Sequence, residues 1–99
     1  MTIESINSNI LSKRKKSERV QTGVRLEKRL VKVLKALAEY YDISFGELME
    51  SILLHSLDGQ NPFDEKTLKL ITDLKHIYDL DLGHEDSSLQ KAESTNSNN

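Results

Sequence analysis

One short stretch, Val20 to Leu26, carries a two-residue hydrophobic period, and no other stretch of the chain does. Val20, Thr22, Val24 and Leu26 fall on one face of an extended segment. Gln21, Gly23 and Arg25 fall on the other, with Arg19 in step. Alternation with β-branched enrichment predicts a strand. A strand leaves its backbone polar groups unsatisfied unless another lies beside it. With no second strand in the sequence, the simplest partner is the same strand of another copy, paired antiparallel about a two-fold axis. The lone strand therefore predicts a dimer.

Beyond the strand the pattern changes to that of a helix. Glu27 to Tyr41 places Leu30, Leu34, Leu37, Ala38 and Tyr41 on one stripe, widened by Val31 and Val33, with Lys28, Lys32, Lys35 and Glu39 on the wet side. Asp42-Ile43 breaks the pattern. Ser44 and Glu47 then form Ser-x-x-Glu, a capping box in which each side chain satisfies an orphan backbone donor of the next helix. That helix runs to about Leu57, with Leu48, Ile52 and Leu53 inward, and Asp58-Gly59 ends it. A third helix is predicted from about Asp64 to Tyr78, with Leu68, Ile71, Leu74, Ile77 and Tyr78 on its apolar stripe.

The charge is segregated. Ten basic and two acidic residues lie between Lys13 and Lys35, and four basic and thirteen acidic residues lie from Ala36 to Asn99, within a net charge of -2. Such asymmetry suggests a polyanion-facing front and an acidic remainder. The division expected is a flexible basic arm over 1–18, a strand-helix-helix domain over 19–58, a helical extension over 62–81 and a disordered tail over 82–99. A folding unit of this size holds a modest core, commonly stabilised by disulfides, metal or association. The sequence has no cysteine, so association leads. No stretch reaches the ~20 apolar residues of a membrane span, and Met1 to Ser12 lacks the pattern of a secretory signal. A cytoplasmic location is expected, away from any membrane.

Strand, helix, turn, helix is an ordered set. The strand Gln21-Thr22-Gly23-Val24-Arg25-Leu26, the helix ending in Leu37-Ala38, the Ile43-Ser44 turn and Glu47-Leu48 resemble the ribbon-helix-helix family of bacterial repressors, the MetJ, Arc and CopG type. The resemblance covers Val20 to Leu57. It implies a mainly α fold with one short strand per chain, in an intertwined dimer whose two strands form an antiparallel ribbon in the major groove of DNA. The C-terminal helix would be an addition to that module. The major groove admits such a ribbon and presents a distinct pattern for each base pair.

By this resemblance Gln21, Gly23 and Arg25 occupy the base-reading positions. Arg25 can present a fork to guanine and Gln21 to adenine. Gly23 stands where the family usually has a polar side chain, and Thr22, Val24 and Leu26 would pack inward. The backbone amides of Ser44, Phe45 and Gly46 would clamp a phosphate at the start of the second helix. Asp42 stands there in place of the family's common glycine. Lys13, Arg14, Lys15, Lys16 and Arg19 would add phosphate contacts.

The expected function is sequence-specific binding of double-stranded DNA, as a transcriptional repressor. An antitoxin whose C-terminal half binds a toxin is one alternative; a plasmid-partition or DNA-transfer accessory protein is another. The expected partners are DNA, a second copy of the chain with higher-order assembly on DNA, and a protein on the C-terminal helix. His55, His76 and His84 have no ligand spacing. No catalytic triad, glycine-rich phosphate loop or paired-carboxylate site stands out. Neither an enzyme nor a cofactor or metal is expected.

Overall fold

The computed structural model of the chain describes residues 18–97. It has four helices: α1 (Lys28–Tyr41), α2 (Phe45–Leu57), α3 (Glu65–Ile77) and α4 (Ser88–Ser97), with a 3-10 turn at His84–Asp86. Each of the first three begins on a side-chain cap. Glu27 accepts from the amides of Arg29 and Leu30 at 2.7 and 3.2 Å. Ser44 and Glu47 make the expected reciprocal box at 3.0 and 2.9 Å. Asp64 accepts from the Thr67 amide at 2.8 Å.

The same three helices also end alike, on a residue with left-handed backbone: Asp42 (φ 59°), Gly59 (φ 70°) and Asp79 (φ 55°). In each case the next residue's N–H reaches back five positions, Ile43 to Ala38, Gln60 to His55 and Leu80 to Lys75. This is the Schellman closure, which satisfies helix carbonyls that would otherwise lack partners.

The predicted ribbon-helix-helix architecture is not what the chain adopts: the described residues contain no β-strand, and the fold is a small all-α one. Residues 18–26 run into α1 without a backbone hydrogen bond of their own among the described residues. The physical reason is the one that made the segment conspicuous. Alternation selects an extended backbone, but a strand exists only beside another, and the described residues contain none. In the single chain the face expected to pack inward is exposed. Val20 and Val24 are 80% and 73% exposed, and Thr22 and Leu26 are exposed as well.

The core sits where α1 packs on both α2 and α3. Leu37, Ala38 and Leu48 are buried, with Leu34, Ile52, Phe63, Leu70, Ile71 and Leu74 packed against them. Fully burying a leucine contributes roughly 1.5–3 kcal/mol, so a core this small carries little surplus. One polar pair lies beside it: the hydroxyl of buried Thr67 and the phenol of the more exposed Tyr41 are 2.7 Å apart. Leu80, just past α3, is also buried. Arg29 fastens this return. It donates to the Asp79 carbonyl at 2.8 Å, to Asp81 at 2.9 Å and to Glu27 at 3.0 Å. The tail expected to be disordered carries the 3-10 turn and α4. Among the described residues no helix is long and apolar enough to cross a membrane.

Candidate nucleic-acid interface

The base-reading candidates lie together on the extended segment before α1. Arg19, Gln21, Gly23 and Arg25 are all exposed. Neither Gln21 nor Arg25 makes a hydrogen bond or ion pair among the described residues. Both side chains therefore keep their full donor capacity. A Cβ placed on Gly23 would meet nothing within 4 Å, so steric room within the chain is not what requires a glycine there. Lys13, Arg14, Lys15 and Lys16 lie outside the described residues.

Directly after this segment, α1 presents Lys28, Lys32 and Lys35, all exposed, at the i, i+4, i+7 spacing of one helix side. They lie within ten residues of Arg25, also exposed. The sequence places these lysines on the wet side of the helix, in agreement with their exposure.

The start of α2 is arranged differently from a free anion site. The Ser44 amide donates to the Glu47 carboxylate, and the Glu47 amide to the Ser44 hydroxyl. Of the three amides expected to clamp a phosphate, Ser44 is thus already engaged by a carboxylate of its own helix. The backbone and side-chain hydrogen bonds from Ser44 hold the Glu47 carboxyl below its ordinary pKa, against a smaller desolvation effect. One turn further on, Glu50 receives Arg19. Phe45 is half-buried and Gly46 is exposed. The neighbourhood of Asp42, Glu47 and Glu50 is acidic, so a phosphate approaching here must first displace protein carboxylates.

The base of the segment is fixed by Glu27 and Arg29. Desolvation raises the Glu27 pKa, but hydrogen bonds from the Arg29 side chain and the Leu30 and Arg29 amides outweigh it and leave the carboxyl below its usual range. The Arg29 guanidinium is held more firmly protonated, mainly by its hydrogen bond to Glu27. Arg29 is therefore committed to the fold, whereas Arg25 is not.

A second exposed surface is apolar. On α2, Leu53, Leu54 and Leu57 are 54%, 60% and 85% exposed, and of the helix's residues only Leu48 is buried. Among the described residues no group of three or more His, Cys, Asp or Glu is placed to hold a metal ion. Comparison with protein-family models, with curated proteins and with solved structures finds no match for the chain.

Proposed function

We propose that the chain is a site-specific double-stranded DNA-binding regulator, acting as a transcriptional repressor and working as a homodimer. The observation that carries this reading lies in residues 19–35. Arg25 and Gln21 are exposed with no partner among the described residues, and the exposed stripe Lys28, Lys32 and Lys35 follows directly in sequence. Lysines and arginines on one side neutralise phosphates and set affinity. Side chains able to donate a fork to base edges set sequence preference. An extended segment that makes few contacts with its own fold is narrow enough to lie along a groove. No paired ribbon is needed for this.

The homodimer is supported by α2. A helix that is apolar on most of its circumference belongs in a core, yet here half of it faces outward. A second copy apposed at Leu53, Leu54 and Leu57 would cover those side chains. It would also present two copies of the basic surface to related half-sites. Sedimentation should show a dimer at micromolar concentration, and Leu54→Glu with Leu57→Glu should shift it to monomer. A wild-type monomer under those conditions would contradict the dimer.

One observation favours a second reading. Among the described residues, helix α4 contacts only the 3-10 turn that precedes it, and its Leu89 is 68% exposed. A helix whose first six residues are exposed, after an acidic stretch, suits a protein partner, as in an antitoxin that binds a toxin beside its DNA-binding region. Selection of bound duplexes from a random pool tests the first reading. It predicts recovery of a consensus with related half-sites, and an unenriched pool would contradict site-specific binding.

A further inference from the structure

Among the described residues, one hydrogen-bonded contact ties residues 18–26 to the helical body. Arg19 Nη1 donates to both carboxylate oxygens of Glu50, at 2.7 and 2.8 Å, across 31 positions of sequence. Both side chains are exposed, at 70% and 47%, so the contact can open without disturbing the core. A carboxylate offers a guanidinium the same pattern of anionic oxygens that a DNA phosphate does. Glu47, one turn earlier on α2, holds the Ser44 amide in the same manner. Two groups suited to phosphate are therefore occupied by carboxylates of one helix.

We propose that Glu50 is an internal phosphate mimic. It holds Arg19, and with it the base-reading segment, against α2 until DNA displaces it. The proposal rests on the DNA-binding reading above. Any duplex must exchange the Arg19–Glu50 contact for an Arg19–phosphate contact, so the latch lowers affinity for all sequences alike. An exposed ion pair is weak, so the penalty is small, about two- to five-fold. A latch of that strength holds the segment in place in the free protein and still yields readily to a phosphate.

The test compares full-length wild type, Glu50→Gln, Arg19→Ala and the double variant on a random-sequence duplex at fixed salt. Glu39→Gln, an exposed carboxylate on α1, serves as a control for charge. Amide ¹⁵N relaxation of residues 18–26 is measured in the free proteins. Glu50→Gln should tighten binding about two- to five-fold, more than Glu39→Gln does. The gain should vanish in the Arg19→Ala background, and residues 18–26 should become more mobile on the picosecond to nanosecond timescale. An equal gain in the Arg19→Ala background would overturn the mimic, because the effect would then be general charge. Unchanged relaxation in Glu50→Gln would overturn the latch. If no protein binds any duplex, the DNA reading itself fails; a relaxation change would then leave only a structural tether, and the mimic would fall with it.

Discussion

Asp42 shows how one residue can be legible in type and still matter in energy. It closes α1 at φ 59°, a region that costs most L-residues roughly 1–2 kcal/mol and asparagine or aspartate less. The break at Asp42-Ile43 is readable because Asp tolerates this backbone. Asp42→Gly should stabilise the fold by roughly 0.5–1 kcal/mol, and Asp42→Val should destabilise it by more than about 1 kcal/mol. Chemical denaturation checks both, and a less stable Asp42→Gly would contradict the closure. The stop before Asp79 is placed as well, with the predicted helix ending at Tyr78 and the observed one at Ile77, although the left-handed Asp79 itself is not singled out. Nor is Thr67, whose burial depends on Tyr41 of another helix; a polar side chain gives no sign in sequence that its partner will arrive from elsewhere.

At the scale of elements, the first three helices announce themselves locally, whereas the extended segment and α4 do not. The Ser44–Glu47 box and the Asp64 cap bond within three residues, so sequence alone contains both partners. The extended stretch at 20–26 needed a partner that spacing cannot supply, which is why alternation there predicted a strand the structure lacks. The caps have a pH signature. Hydrogen bonds from Ser44 and from Thr67 depress Glu47 and Asp64 respectively. A depressed carboxyl contributes stability that is complete above its unfolded-state value, about 4, and is lost as pH falls through the lower folded value. Melting temperature should therefore stay level from these groups between pH 7 and pH 5 and fall below about pH 4. In Glu47→Gln the acid-side fall should be shallower, and a fall as steep as wild type would show that Glu47 contributes nothing to it. Ser44→Ala should cost about 1 kcal/mol at neutral pH.

For the whole molecule, the third helix decides where the domain ends. Phe63, Leu70, Ile71 and Leu74 complete the core begun by Leu37, Ala38 and Leu48, and Arg29 pins the chain at Asp79 and Asp81. A boundary at residue 58, reasonable from the strand-helix-helix pattern, therefore divides a single packed unit. Truncation after Gln60 should abolish cooperative unfolding. Truncation after Ser87 should preserve it, because α4 adds nothing to that core. Calorimetry of both truncations checks this; a cooperative transition in the shorter chain would show that α1 and α2 suffice. The apolar stripe of α3 was legible only in part: Ile71 and Leu74 join the core, but Leu68 and Ile77 are exposed and Leu70, outside the predicted stripe, packs in their place; amphipathicity says that a face is buried and not against what.

The proposed DNA reading by the extended segment is most open to refutation at Arg25. Arg29, four residues on, is spent on Glu27, Asp79 and Asp81, while Arg25 has no partner among the described residues. Anisotropy titrations of wild type and Arg25→Ala on a selected duplex and on its scrambled counterpart, at one salt concentration, separate base contact from phosphate contact. Base contact predicts a loss of roughly 1–3 kcal/mol on the selected duplex and a much smaller loss on the scrambled one, because Lys28, Lys32 and Lys35 would still meet phosphates. Equal weakening of both would make Arg25 a phosphate contact, and no binding to either by wild type would contradict DNA recognition outright.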